Sequence, residues 1–260
     1  MAYTRYVAIG DSQTEGLWDG DDEIGVRGFA DRLAAHLGTL YPGLQYANLA
    51  VRGRTTREVL IEQLPTALAM QPDLVTVCVG MNDVVRPGRA FETALSDLET
   101  LYNRLAETGA TVATTAFPDV ARILPVGRLL AARVTRINAV ITGMAHRHGF
   151  GLVDLFNAPS MLEPATWSAD RMHASSHGHQ LFADAAAEAL GLPGSSHDWA
   201  LGSGADERPG AAARVRAQAG WTRNMLAPWI WRHLRGQSSG HGRSPKRPEL
   251  LGVDTDQCWT

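Results

Sequence analysis

Between residues 6 and 190, short apolar segments alternate with longer segments whose apolar residues repeat at helical spacing. Segments 6–9 and 74–79 are apolar and rich in β-branched residues, which is typical of strands covered on both faces. Segments 44–50, 111–117 and 150–156 read as strands as well. The sequence therefore predicts five strands, of which 74–79 is the least ambiguous.

Helices are predicted between these strands. In segment 29–40, Phe29, Leu33 and Leu37 recur on one face at the spacing of an amphipathic helix. Further helices are predicted over segments 56–70, 91–107, 128–148 and 178–190. Pro65 should kink or break the first of these. Because strands that alternate with helices form βαβ units, we predict an α/β fold with a mostly parallel sheet and helices on both faces.

A change of composition marks a boundary near residue 194. Residues 1–194 contain fifteen basic and twenty-one acidic residues, whereas residues 195–260 contain nine and six. We predict a main domain over 1–194, a tryptophan-rich helical extension over 195–235, and an extended or disordered tail over 236–260.

The extension has a helical pattern over 208–235 with Trp221, Met225 and Trp229 on neighbouring stripes. Tryptophan side chains need burial, so this helix is expected to dock on the main domain or on a second copy of the chain, as in a homodimer. The alternative is a basic amphipathic helix that lies on an anionic membrane surface.

Composition narrows the class of protein. The 260 residues are 45% apolar and carry a net charge of −3, which predicts a globular protein without general affinity for nucleic acid. No segment has the length and apolarity of a transmembrane helix or a signal peptide. The two cysteines, Cys78 and Cys258, are not expected to form a disulfide. We therefore expect a cytoplasmic protein.

Residues that can carry chemistry follow several of the predicted strands. Ser12 lies between two glycines in GDSQTEG, residues 10–16, directly after the first strand. Gly53 follows the second strand, Asn82 follows the third, and Asp170 and His173 follow the fifth. Because the carboxyl ends of parallel strands meet at one edge of a sheet, we expect these residues to converge there.

This set of residues is suited to acyl transfer. A serine hydroxyl becomes a nucleophile when a base takes its proton, and His173 is the candidate base for Ser12. Asp170 can hold the other imidazole nitrogen and so fix its tautomer. The backbone N–H groups of Ser12 and Gly53 and the amide of Asn82 could bind the oxyanion that forms when a carbonyl is attacked.

Four segments resemble a known family. GDSQTEG (10–16), NLAVRG (48–53), GMND (80–83) and DRMH (170–173) are similar, in this order, to the first, second, third and fifth blocks of the SGNH hydrolases, also called the GDSL lipases and acylhydrolases. The resemblance covers about residues 5–191 and leaves out the C-terminal seventy residues.

The resemblance implies a three-layer α/β/α sandwich with a flavodoxin-like, five-stranded sheet, no cofactor, and an ester-hydrolysing Ser12–His173–Asp170 site in residues 1–194. It implies that Gly53 and Asn82 serve the oxyanion. The expected substrates are small esters of short acyl groups. An acyltransferase or thioesterase that uses the same site, or a binding module without chemistry, are the alternatives.

Other features carry less weight. His173, His177 and His179 could form a metal cluster, but no acid or thiol accompanies them. The loop with Asp19, Asp21, Asp22 and Glu23 lacks the spacing of a calcium loop, so we expect a solvated loop.

Two further patterns have simpler explanations. GQSSG, residues 236–240, matches the nucleophile elbow of another hydrolase class but has neither the strand nor the helix that this motif needs. Arg52, Arg54 and Arg86 could meet an anionic substrate group, although salt bridges at helix ends explain them equally well.

Overall fold

A six-stranded sheet forms the centre of the computed structural model, which describes residues 2–124, 127–203, 220–223 and 240–253. Its strands are β1 (Arg5–Gly10), β2 (Gln45–Asn48), β3 (Leu74–Cys78), β4 (Thr111–Ala116), β5 (Gly151–Asp154) and β6 (Arg247–Gly252). They lie in the order β5-β4-β3-β1-β2-β6.

The first five strands are parallel, and their order is that of flavodoxin. β1 lies at the centre, where Tyr6 is opposite Tyr46 of β2 on one side and Leu74 of β3 on the other. The direction of winding changes between β1 and β3, and ligands bind at such a switch point in open α/β sheets. The predicted α/β/α sandwich is therefore confirmed, and it brings the ends of β1 and β3 together.

Helices cover both sides of the sheet. They are α1 (Ser12–Glu15), α2 (Phe29–Leu40), α3 (Thr56–Glu58), α4 (Leu64–Ala69), α5 (Met81–Val84), α6 (Arg89–Ala106), α7 (Val120–Ile123), α8 (Gly127–His148) and α9 (Ser176–Ala189). On one side α2 packs against α9, and on the other α6 packs against α8. None of the described helices combines the length and apolarity that a membrane span requires.

The break that Pro65 predicts lies where the helix changes geometry. α3 begins with a capping box, in which Glu58 accepts a hydrogen bond from the backbone N–H of Thr55. A π-helical turn, Val59–Gln63, follows, and Pro65 lies in the first turn of α4. There a proline costs little, because the first backbone N–H groups of a helix have no partner in that helix.

The sixth strand corrects the predicted count of five. β6 pairs antiparallel with β2 at the edge of the sheet, within the segment that we predicted to be an extended or disordered tail. Pro248 is tolerated there because an edge strand has one side without a partner. Apart from residues 220–223, the predicted helix over 208–235 lies outside the described residues, as does Cys258.

Side chains from the C-terminal segment fix β6 to the main domain. Lys246 Nζ lies 2.5 Å from Asp31 Oδ2 and donates to the carbonyl oxygens of Glu15 and Val26 at 2.5 and 2.9 Å. Arg243 pairs with Asp22 at the exposed end of the same segment. The C-terminal strand is thus tied to α1, to α2 and to the segment between them.

Candidate active site

The end of β1 places Ser12 in a tightly packed turn. Gly10 has a φ of +154°, and a Cβ there would lie 2.3 Å from the carbonyl oxygen of Cys78 on β3. The carboxamide of Gln63 grips the same residue, since it accepts from Gly10 N at 2.8 Å and donates to Gly10 O at 2.9 Å. Asp11 then caps α1 by accepting from Gln13 N at 3.2 Å. These contacts fix the position of Ser12, the first residue of α1.

Ser12, His173 and Asp170 form a continuous chain of hydrogen bonds. Ser12 Oγ lies 2.8 Å from His173 Nε2, and His173 Nδ1 lies 2.6 Å from Asp170 Oδ2. Ser12 and Asp170 are each only 7% exposed. In such an arrangement the imidazole can accept the hydroxyl proton while the carboxylate holds its other nitrogen.

The Asp170 carboxylate is surrounded by donors. Ser168 Oγ lies 2.8 Å from Oδ1, which also accepts from the backbone N–H groups of Met172 and His173 at 2.8 and 3.0 Å. Trp18 Nε1 donates to Oδ2 at 2.8 Å. Burial alone would raise the pKa of Asp170, but the hydrogen bonds and the charge of His173 outweigh it and lower the pKa to about 2. The carboxylate is therefore charged at neutral pH.

The loop that carries Asp170 and His173 is braced from several directions. Arg171 has a φ of +59°, a left-handed conformation that closes a tight turn between its neighbours. Gln13 donates to Met172 O at 3.0 Å and accepts from Ala174 N at 3.3 Å, which joins this loop to the serine turn. Trp221 Nε1 donates to the carbonyl oxygen of Asp170 at 2.9 Å.

The three predicted oxyanion donors differ in their surroundings. Among the described residues, the backbone N–H groups of Ser12 and Gly53 have no hydrogen-bond acceptor. The Asn82 amide donates to Asp11 Oδ2 at 3.1 Å and to Arg54 O at 3.0 Å, which brings it beside the loop of Gly53. Burial raises the pKa of Asp11 to about 7, so the carboxyl group next to Asn82 is ionised in only a fraction of the molecules at neutral pH.

The arginines near Gly53 pair with protein carboxylates. Arg52 Nη2 lies 2.7 Å from Glu15 Oε1, and Arg52 N donates to Glu15 Oε2 at 2.5 Å. Arg54 pairs with Glu58 and Glu62. For Arg52 and Arg54, the structure supports the salt-bridge reading over contact with an anionic substrate.

The three histidines have separate surroundings. His179 is fully buried, and its Nδ1 accepts from Phe29 N at 3.2 Å. Burial lowers the pKa of His179 to about 4, so the ring is neutral and supports the packing of α2 against α9. His177 is exposed, and His173 faces Ser12. In the described part of the chain, no three histidine, cysteine or acidic side chains are grouped closely enough to hold a metal ion.

Several residues of the site were not identified from the sequence. Trp18, Ser168 and Trp221 contact Asp170 from loops or from the C-terminal segment, and Gln63 reaches Gly10 from the π-helical turn. Gln13 lies within GDSQTEG (10–16), the serine segment, and this position was the one sequence signal that pointed to a role in the site. GQSSG lies outside the described residues except for Gly240.

Two solved structures share this fold. LAE5, an alpha/beta hydrolase from the metagenome of Lake Arreo, Spain, is 26% identical over 72% of this chain and 95% of its own, with a TM-score of 0.60. Axe2, an acetylxylan esterase from Geobacillus stearothermophilus, is 20% identical over 73% of this chain and 94% of its own, with a TM-score of 0.60. A search among curated proteins found no match.

The family assignment rests on the sequence itself. Residues 8–181 match the GDSL-like Lipase/Acylhydrolase family, in agreement with the resemblance of the four segments. The matched range includes Ser12, Asn82 and His173, and it ends before Trp221 and β6. The chain therefore belongs to the GDSL-like lipase/acylhydrolase family and is a carboxylic ester hydrolase.

Proposed function

We propose that the chain is a serine esterase that hydrolyses carboxylic esters of short acyl groups through an acyl-enzyme intermediate. The observation that carries this proposal is the hydrogen-bonded series from Ser12 Oγ through His173 to Asp170, with distances of 2.8 and 2.6 Å. These distances lie within the range that proton transfer between a nucleophile and its base requires.

In the first half of the reaction, Ser12 Oγ attacks the ester carbonyl carbon as its proton passes to His173 Nε2. Asp170 stabilises the imidazolium and keeps Nδ1 protonated. The carbonyl oxygen becomes an anion, which the N–H groups of Ser12 and Gly53 and the Asn82 amide would bind. His173 then donates its proton to the alkoxide, the carbon–oxygen bond breaks, and the alcohol leaves an acyl group on Ser12.

In the second half, water replaces the alcohol. His173 takes a proton from the water, whose oxygen attacks the acyl carbonyl, and the second oxyanion forms at the same donors. Collapse of this intermediate returns the proton to Ser12 Oγ and releases the carboxylic acid. The Asn82 amide would turn from the Asp11 carboxylate toward the oxyanion in each half.

The solved structures support these roles. Axe2 has been crystallised as catalytic mutants in which a serine, an aspartate or a histidine is replaced by alanine. We infer that residues 1–194 form the catalytic domain, since β1–β5 and the three candidate residues all lie within it. The C-terminal segment adds an edge strand and the contacts of Trp221 and Lys246.

Ser12→Ala tests the proposal. Purified wild-type protein should hydrolyse p-nitrophenyl acetate and butanoate, and the variant should lose at least about 10³-fold in kcat/KM. Ser160→Ala is the matched control, because this buried serine lies in a 3₁₀ turn, Pro159–Leu162, and its hydroxyl has no hydrogen-bond partner among the described residues. It should leave the activity within about twofold. A fluorophosphonate probe should label the wild type and not Ser12→Ala. Hydrolysis that survives Ser12→Ala in the folded variant would refute the assignment.

Product analysis separates hydrolysis from acyl transfer. With an alcohol or a thiol added as a competing acceptor, a hydrolase releases mainly the carboxylic acid. A dominant transfer product would instead identify an acyltransferase that uses the same residues.

A further inference from the structure

A cavity of about 130 Å³ opens beside the candidate nucleophile. Ser12, Asn82 and His173 are among its lining residues, and apolar side chains form most of the remaining wall. These apolar residues include Phe117, Val120, Ile123, Leu124, Leu130 and Trp221. Such a wall has few groups that could bind water or a sugar hydroxyl, so it suits a hydrocarbon.

The volume limits what can enter. A dry apolar cavity of about 150 Å³ holds a six-carbon ring such as benzene. A cavity of about 130 Å³ therefore accommodates a chain of about four to six carbons. An acetyl group would leave most of this space empty, whereas a much longer chain would need an opening at the far end.

Trp221 is a wall residue from the C-terminal segment, far beyond residue 181, where the family match ends. It is 6% exposed and packs in a small cluster with Leu124, Ile123 and Met172. Its indole N–H donates to Asp170 O at 2.9 Å, and the guanidinium carbon of Arg171 lies 5.4 Å from the centre of its ring. A hydrogen bond at one edge and a cation over one face hold the ring in a single orientation.

We propose that this cavity binds an unbranched, apolar acyl chain of about four to six carbons and that Trp221 limits the length of the chain. The inference rests on the proposed esterase function, because the chain must be attached to the carbonyl that Ser12 attacks. It adds a specificity-determining residue from outside the matched domain.

A series of p-nitrophenyl esters from acetate to decanoate measures the length preference as kcat/KM. Each CH₂ that enters the cavity should raise kcat/KM about fourfold, so butanoate should exceed acetate by about fifteenfold. The value should be greatest near hexanoate and fall for decanoate. A wild type that prefers acetate would overturn the acyl pocket while leaving Ser12-dependent esterase activity intact.

Variants of the wall test the role of Trp221. Trp221→Ala should move the preferred ester to a chain longer by two or more carbons, and Trp221→Phe should move it less. Leu129→Ala is the control, because this side chain is 84% exposed beside Leu130 and should leave the preference unchanged. An unchanged ratio of octanoate to butanoate kcat/KM in folded Trp221→Ala would overturn the inference.

A second variant keeps the test decisive if Trp221→Ala does not fold. Ile123→Phe adds volume at a half-buried position of the same wall without creating a cavity. It should lower kcat/KM for hexanoate at least about tenfold relative to acetate. An unchanged ratio in this variant would contradict the proposed pocket. Absence of Ser12-dependent hydrolysis with every ester would refute the esterase proposal itself.

Discussion

Replacement of Asp170 by asparagine would distinguish an orienting carboxylate from a merely structural one. Three donors face Oδ1 of this side chain, whereas Trp18 Nε1 and His173 Nδ1 face Oδ2. An asparagine has one acceptor oxygen, which should turn toward the three donors. Its NH₂ group would then face His173, so Nδ1 would have to be unprotonated. The proton would move to Nε2, where it prevents His173 from accepting the proton of Ser12.

The expected loss can be bounded from the structure. The pKa of Asp170 lies at about 2 rather than at its usual 3.8, mainly because His173 outweighs the effect of burial. That difference corresponds to about 2–3 kcal/mol of interaction with the charged carboxylate, or about 60-fold in rate if the pair forms fully in the transition state. The wrong tautomer adds to this, up to a total of about 10⁴-fold. Asp170→Asn should therefore lower kcat/KM by about 10²–10⁴-fold.

Hydrolysis of p-nitrophenyl butanoate by purified variants measures the effect, with circular dichroism as the check on folding. Asp154→Asn is the matched control, since among the described residues this carboxylate at the end of β5 accepts from Phe156 N and Asn157 Nδ2 alone. It should keep the activity within about twofold. A folded Asp170→Asn that loses less than about tenfold would contradict the argument from the tautomer.

Two predictions concern stability. Lys246→Met removes three hydrogen bonds of a half-buried ammonium group, so it should lower the free energy of unfolding, measured in urea, by about 2–3 kcal/mol. Arg243→Gln breaks an exposed ion pair and should leave this free energy nearly unchanged. Equal losses in the two variants would contradict the anchoring of β6 by Lys246. His179 is held neutral because burial lowers its pKa from 6.5 to about 4, so its contribution to stability is complete above pH 6.5 and is lost as the pH falls toward 4. When the pH is lowered from about 7.5 to about 5, the wild type should therefore lose about 2 kcal/mol more unfolding free energy than His179→Gln loses. Parallel curves of unfolding free energy against pH for the two proteins would refute the lowered pKa of His179.

The convergence of the candidate residues follows from regular geometry, which explains why the sequence predicted it. Parallel strands end at one edge of the sheet, so Ser12 after β1 and Asn82 after β3 had to be neighbours once these strands were recognised. Asp170 and His173 are three residues apart, a spacing that a tight turn can close. No long-range packing was needed for either inference.

The supporting contacts could not be predicted, because they depend on how loops fold over one another. Trp18 and Trp221 reach Asp170 across sequence separations of 152 and 51 residues, and no periodicity links such positions. Arg52 pairs with Glu15 and with Asp22, which both lie far from it along the chain. Which arginines pair with protein carboxylates therefore becomes visible only in the folded structure, where the loops pack together.

β6 was missed for a different reason. Its side chains are half-buried or exposed, so no alternation of apolar and polar residues marks the segment as a strand. Its hydrogen bonds with β2 and the anchor at Lys246 determine its position. An edge strand of this kind is specified by its partner more than by its own pattern.

Asp11 and Glu15, the two acidic residues of the serine segment, have different surroundings and therefore different effects on the site. Glu15 and Asp11 are both buried, but Arg52 balances the charge of Glu15. In the described part of the chain, Asp11 accepts hydrogen bonds from the backbone N–H of Gln13 and the side-chain amide of Asn82 and from no other group. Burial raises the pKa of Asp11 to about 7, although the hydrogen bond from Gln13 N and the charge of the nearby His173 act in the opposite direction. A charged Asp11 would oppose an oxyanion at Asn82, and a neutral one would not. The absence of a cation from the described contacts of Asp11 therefore favours oxyanion binding, and the neighbouring pair of Glu15 with Arg52 supports the loop of Gly53 without adding net charge to the site.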